Sequence, residues 1–455
     1  MIMKMTRWIV AMAAVMHVAT AADAKMEKSD VLRTRMSTKT IYPVPTETEQ
    51  AEDSRSLDEC TPIQLNFVVR HGTRFPTIKD IKRISATHTK IYTLQSPPET
   101  SWVARWMSPF DPARAGWLAE AGTNELIAIG QRLRQRYGQQ LQGHFEKSKF
   151  IFEHTWKPRT QQSAMAFAYG FFGSVQPVHY ETDPIGQDHE LRFFDNCPAF
   201  DVRIENNKSA TVEHARYRTS AQMQRSLERF RAYVGGPRKH ELDQRDLEAA
   251  YAGCAFDYAT QGLLTDEWCS LFDEEMLRTM DYFHDLKHFY KKSHGHALAY
   301  EIASPLLQDM FQSMKQRVAR TSDVEGHFRF AHAETILPLA SLLNLSDFDR
   351  HVNSRDGHFL ASTPLEVAER RVFKGAVLAP FAANIGFVLY ECLREGQRMP
   401  GYGAKLLLNE RVVRLPECNE LHICPLERLE AIFHRWLHEY DFAEQCTVEA
   451  AVREE

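Results

Sequence analysis

Arg70-His71-Gly72-Thr73-Arg74-Phe75-Pro76 sets a histidine between two arginines directly after the apolar run Ile63–Val69. Guanidinium forks match phosphate oxygens two at a time and keep their charge. A neutral imidazole among them can attack phosphorus and carry the phosphoryl group as a phosphohistidine. The flanking cations disfavour imidazolium, so the ring stays nucleophilic in acid. Gly72 lets the backbone turn, and Pro76 stiffens the exit. A second set, His332-Ala333-Glu334, supplies the missing roles. His332 can bind the transferring phosphoryl group. Glu334 can protonate a leaving alkoxide and then accept a proton from the hydrolytic water. Arg159, in Lys157-Pro158-Arg159-Thr160, offers a third guanidinium. Read singly, these residues fit equally well a basic loop, a structural histidine and a solvent-facing arginine. It is their placement in the chain that joins them.

Three segments share one grammar of strand, polar turn and helix. Ile63–Val69 runs into the heptad. Phe150–Phe152 reads as a strand, followed by a helix starting near Thr160, a good N-cap. Phe328–Ala331 reads as a strand that ends at His332, with the apolar run ILPLASLL behind it. In α/β sheets, ligands gather at the carboxyl ends of strands, and helix N-termini there favour anions. The pattern predicts that Arg70, His71, Arg74, Arg159, His332 and Glu334 converge on one sheet edge. Leu126, Ile129, Leu133 and Tyr137 mark a sheet-packing helix. Residues 197–326 read as helical, and AVLAPFAANIGFVLYECL as a buried strand and helix. LLLNERVVRL reads as two strands around Asn409-Glu410. A closing amphipathic helix is apolar at Leu429, Ile432, Phe433, Trp436 and Tyr440. The expected fold is α/β. A mixed, mostly parallel sheet flanked by helices spans 60–196 and 327–455, with a mainly α-helical cap domain inserted over 197–326.

The 455 residues carry a net charge of -5, which argues against a nucleic-acid binder but permits a local basic pocket. Lys4 and Arg7, the apolar run Trp8–Met16 and the small residues ending at Ala24 read as a cleaved signal peptide over 1–24. The alternative is an uncleaved anchor; no later stretch is long and apolar enough to span a membrane. Polar residues 25–59 read as a flexible leader. Cys60, Cys197, Cys254, Cys269, Cys392, Cys418, Cys424 and Cys446 lack zinc-site spacing, so disulfides in an oxidising compartment are the better reading. Secretion or the endoplasmic reticulum lumen follows, and the sequons at Asn207 and Asn344 permit glycosylation.

Taken together, RHGTRFP and HAET (His332 to Thr335) make the chain resemble the histidine acid phosphatases, in their multiple inositol polyphosphate phosphatase branch. DLKHFYKKSHG (Asp285 to Gly295), PFAANIGFVLYEC (Pro380 to Cys392) and LLLNERVVRL extend the likeness from about Cys60 onward. The resemblance implies His71 as nucleophile, Glu334 as proton donor, and Arg70, Arg74, Arg159 and His332 as phosphate ligands. It also implies the pairs Cys60–Cys392, Cys197–Cys446, Cys254–Cys269 and Cys418–Cys424. The implied substrate is a small polyanionic phosphate ester, an inositol polyphosphate or 2,3-bisphosphoglycerate. The alternatives are a broad acid phosphatase or an inactive anion-binding homologue. Lys79, Lys82 and Arg83, with Lys287, Lys291 and Lys292, could line the entrance or merely form solvated faces. Transfer through phosphohistidine needs no metal or other cofactor, and no metal site stands out.

Overall fold

The computed structural model describes residues 31–49, 60–262, 267–346, 359–393, 401–416, 418 and 423–448. The signal-peptide reading over 1–24 lies outside them. The strands are β1 (Cys60–Arg70), β2 (Phe150–His154), β3 (Tyr180–Glu181), β4 (Gly326–Ala331), β5 (Asn384–Cys392), β6 (Gly401–Leu408), β7 (Arg411–Val412) and β8 (Cys424–Pro425). They form one mixed sheet in the order β3-β2-β4-β1-β5-β6-β7, with β8 on β6. The pairs β3–β2, β2–β4 and β4–β1 are parallel, and pairing from β5 through β8 is antiparallel.

Burial on both faces explains the near-continuous apolar reading of β1. Leu65, Phe67 and Val69 enter one core with Leu126, Ile129, Phe167 and Phe328. Val68 enters the other. On that second face the buried Asn66 side chain is paired at both ends. Asn66 Nδ2 donates to the Met310 carbonyl at 2.9 Å, and Asn66 Oδ1 accepts from Arg329 at 2.7 Å. The β6–β7 turn holds Asn409 at φ 51° and Glu410 at φ 64°, the two positive φ values that a tight two-residue hairpin requires.

Helices cover both faces: α1 (Ile78–Gln95), α2 (Glu120–Tyr137), α3 (Pro158–Phe172), α4 (Gln244–Gln261), α5 (Glu274–Lys292), α6 (Ser304–Val318) and α7 (Ala333–Leu342). α3 begins two residues before the expected Thr160. Pro158 takes the first helical position, where its fixed φ and missing N–H cost nothing, and Thr160 falls inside the first turn. From Cys197 to Val318 the named elements are helical, but they share one hydrophobic core with the sheet: Tyr251, Met280 and Met310 join Val68, Ala331, Ile385 and Phe387. The four disulfides are Cys60–Cys392, Cys197–Cys446, Cys254–Cys269 and Cys418–Cys424, the pairs implied by the resemblance. Cys60 and Cys392 are direct partners in the β1–β5 register. Of the sequons, Asn207 accepts from the Ser209 amide at 3.0 Å, and Asn344 sits at φ 51° after α7.

The flexible-leader reading fails for residues 31–49. Leu32, Met36 and Tyr42 are buried, and Ser37–Lys39 forms a single 3-10 turn. Polar contacts rather than apolar periodicity fasten this segment, which is why composition misread it. The Ser37 amide donates to Asp281 at 2.8 Å, Ser37 Oγ to Asp285 at 2.7 Å, and Tyr42 to Glu410 at 2.8 Å. Asp281 and Asp285, on α5, also receive the buried Arg371 guanidinium, which reaches Asp285 at 2.7 Å. Removing the arginine of this buried network leaves two carboxylates without their cation. Arg371→Ala is expected to cost about 3–5 kcal/mol, read as a lower denaturation midpoint with unchanged slope. A loss under about 1 kcal/mol would mean that the network tolerates Asp281 and Asp285 without Arg371.

Candidate active site

β2, β4 and β1 are neighbours and parallel, so their carboxyl ends share one edge. Register pairs Arg70 with Ala331 and His154 with Phe330. The next residues out are His71, His332 and Thr155, and the expected convergence is therefore met for the strand ends. Gly72 is required there because a Cβ would lie 2.5 Å from the Gly122 carbonyl oxygen on α2.

His71 is 2% exposed, and its Nδ1 lies 2.9 Å from the Gly72 carbonyl oxygen. A carbonyl only accepts, so Nδ1 carries the proton and Nε2 keeps its lone pair. The Gly72 amide in turn donates to Ser163 Oγ at 3.2 Å, and Ser163 Oγ donates to the Arg159 carbonyl at 2.7 Å. Ser163 thus ties the nucleophile's turn to α3. The Glu125 carboxylate accepts from the Thr73 amide at 2.7 Å and fixes the next residue.

Arg70 is buried, stacks 4.5 Å from the Phe381 ring centroid, and donates to the carbonyls of Thr38 and Ala379, the latter at 2.8 Å. Arg74 donates to the Phe75 carbonyl at 2.9 Å. The buried Nε atoms of Arg70, Arg74 and Arg159 have no hydrogen-bond partner. Three converging guanidiniums with unused donors fit a multiply charged oxyanion.

His332 caps α7, and its ring centroid stands 5.5 Å from that of His71. Arg159 Nη2 donates to His332 Nδ1 at 3.2 Å, so the proton sits on Nε2, which donates to Thr155 Oγ1 at 2.8 Å. Thr155 is held at 3.0 Å from Thr160 Oγ1. With both nitrogens engaged, His332 orients Arg159. It can donate to phosphate only after gaining a proton on Nδ1.

Glu334 lies in the first turn of α7 and accepts from Lys292 Nζ at 2.7 Å. Burial raises its carboxyl, but Lys292 and His332 outweigh that and hold it well below the usual carboxylate range. The side chain keeps 44% exposure, so water reaches it, and the ion pair rather than burial sets its charge.

Of the proposed entrance lysines, Lys292 hydrogen-bonds a residue of the site, and Lys287 faces Glu334 without a hydrogen bond to it. Lys291 Nζ turns to Glu205 at 3.1 Å. Lys79 and Lys82 are exposed on α1, where Arg83 is half-buried beside Asp80. Sequence reasoning missed Lys39. Burial pulls its ammonium down to about 7; Asp80 opposes, while Arg83, Arg74 and Lys287 add to the fall. Thr155 was also missed. The wording HTWKPRT held a signal for it, a hydroxyl directly after a strand end.

Burial, then Arg159, Arg70, His332 and Arg74, hold the His71 pKa well below 6.5. Burial and Arg159 do the same at His332, and burial with neighbouring cations at His284 and His288. The reactive ring is neutral, so kcat/KM is expected to show no loss centred at 6.5 as pH falls. Stability moves the other way. The unfolded histidines bind protons below 6.5 while the folded ones do not, so this stabilisation is full above 6.5 and drains as pH drops. Activity profiles beside Tm measured against pH check both halves.

The family model for the histidine phosphatase superfamily (branch 2) matches residues 63–412, which contain every residue of this site except Lys39. The chain belongs to that superfamily. The multiple inositol polyphosphate phosphatase 1 of Gallus gallus is 28% identical over 408 residues, covering 87% of this chain and 86% of its own. The Homo sapiens protein of the same name is 26% identical over 428 residues, covering 86% and 83%. Among solved structures, the phytase from D. castellii superposes with TM-score 0.73 at 19% identity, covering 96% of this chain and 92% of its own. The Bifidobacterium longum multiple inositol polyphosphate phosphatase, in complex with inositol hexasulfate, gives TM-score 0.69 at 16% identity, covering 88% and 97%. These structures share the histidine phosphatase fold described above.

Proposed function

We propose that this phosphatase hydrolyses inositol polyphosphates through a phosphohistidine on Nε2 of His71, with Glu334 as proton donor. The observation that carries the reading is the fixed tautomer of His71, whose lone pair is left free beside three arginines with unused donors. Arg70, Arg74 and Arg159 take the oxygens of the scissile phosphoryl group, and His332 holds Arg159 to it. Nε2 attacks phosphorus, the ester bond breaks, and Glu334 protonates the departing oxygen. Water then displaces the histidine and leaves its proton on the Glu334 carboxylate.

The relatives named for inositol polyphosphates support the substrate class, and so does the cationic surround of Lys39, Arg83, Lys287 and Lys292. The helices from Cys197 to Val318 supply Lys287 and Lys292, which suits a cap that shapes specificity. Four disulfides fit an oxidising compartment, and among the described residues no helix is long and apolar enough to cross a membrane. Phosphate release should be measured on inositol hexakisphosphate, 2,3-bisphosphoglycerate and an aryl phosphate. Preference for the inositol ester is the expected result. Equal kcat/KM on all three would make this a broad acid phosphatase instead.

A further inference from the structure

The Lys292–Glu334 ion pair sits awkwardly with the proton-donor role. A general acid must hold a proton when the leaving group departs, yet Lys292 Nζ stands 2.7 Å from Glu334 Oε1 and favours the carboxylate. The other cations facing Glu334 push the same way: Arg70 and Arg74 after β1, Arg159 on α3 and Lys287 on α5. His288 on α5 and His332 on its own turn also face it, as rings that burial keeps neutral. The scissile phosphoryl group engages the arginines and neutralises their share. Lys292, at the end of α5, is not one of those phosphate-binding arginines, and its contact with Glu334 stays in place. An ammonium is a compact charge on a flexible four-carbon stem and can change partner without backbone movement. A second phosphate on the same ring, next to the scissile one, is the natural competitor for it.

We propose that Lys292 makes the proton donor substrate-gated: a non-scissile phosphate of a polyphosphorylated substrate draws Lys292 off Glu334, and the released carboxylate takes a solvent proton. The inference rests on the functional reading above and adds a discrimination mechanism to it. A simple monoester has no second phosphate, so Lys292 stays on Glu334 and the acid remains ionised. The proton balance is complete. Solvent protonates Glu334 as Lys292 leaves, and that proton goes to the leaving alkoxide as the P–O bond breaks and the P–Nε2 bond forms. The attacking water returns a proton to Glu334 as the P–Nε2 bond breaks. Specificity for polyphosphates then appears in kcat as well as in KM, because the distant phosphate changes the acid and not only the affinity.

The test compares pH profiles of kcat for inositol hexakisphosphate and glycerol 2-phosphate, both alkyl esters that need the acid. In the unaltered enzyme, the basic limb for the hexakisphosphate is expected to lie higher by about one pH unit, a roughly tenfold difference in protonated acid on the limb. In Lys292→Met the two limbs should coincide. The kcat on glycerol 2-phosphate should rise several-fold, while KM for the hexakisphosphate rises. Lys292→Arg keeps the charge and should restore the separation. Coincident limbs in the unaltered enzyme would overturn the gate, and so would a Met variant slowed equally on both substrates with unmoved limbs. The first comparison needs no variant, so misfolding of Lys292→Met cannot blur the answer. If the unaltered enzyme released no phosphate from inositol hexakisphosphate, the functional reading itself would fall, which is a different result.

Discussion

His71→Ala is expected to lower turnover by about a millionfold, the scale seen when a covalent nucleophile is removed from a preorganised site. Binding should survive, because Arg70, Arg74 and Arg159 are anchored by groups other than the His71 side chain. The fold should survive as well, since the polar hold on the ring is its one hydrogen bond to the Gly72 carbonyl. Two measurements separate this from a structural defect. Calorimetry should show inositol hexakisphosphate still binding the variant, and rapid acid-free quenching should recover phosphoenzyme from the parent and none from the variant. His332 is the one competitor for the nucleophile. Its nitrogens are engaged by Arg159 and Thr155, so label trapped on His332 would contradict the hydrogen-bond assignment as well as the role.

Glu334→Gln should separate substrates by their leaving groups. An inositol alkoxide is strongly basic and must be protonated as it departs, whereas an aryl oxide is a far weaker base. General acid help is worth about two to four orders of magnitude, and most of that loss should fall on the inositol ester. With the aryl ester, His71 should still be phosphorylated. The missing base should then slow dephosphorylation and give a burst followed by a slow steady rate. The amide keeps the size of the carboxylate but cannot ionise, so Lys292 loses its charged partner. Equal losses on both esters without a burst would make Glu334 a structural residue and move the proton's origin elsewhere.

The residues with local grammar were legible in the sequence. A strand end followed by His71, Arg159 or His332 can be read from a few consecutive residues, because the strand period, turn and helix start are all near neighbours. The β6–β7 hairpin was legible for the same reason. What escaped depends on partners far apart in the chain. Lys39 approaches the site only because Ser37 bonds to Asp281 and Asp285 on α5, more than two hundred residues later. The choice of Lys292 over Lys291 is a matter of helix face, and the face is fixed by packing rather than by charge. Thr155 became informative only once His332 was placed 2.8 Å from it. The sheet's antiparallel half was visible as strands but not as directions, since strand direction is decided by connections and not by composition.

The strand order β2-β4-β1-β5 has a consequence for how the protein is made. β1 emerges from the ribosome among the first ordered elements, but both of its neighbours are encoded late, β4 from Gly326 and β5 from Asn384. At about 5–20 residues per second, the strand ending in the nucleophile waits roughly 10 to 50 s for partners. Through that interval its apolar faces and unpaired edges are open to association. Cys60 waits longer still for Cys392, while Cys197, Cys254 and Cys269 pass into reach first. In an oxidising compartment, Cys60 is therefore expected to mispair early and to reach Cys392 through thiol–disulfide exchange. Yield in a host with little isomerase should fall for this reason, before any question of the finished enzyme's stability arises.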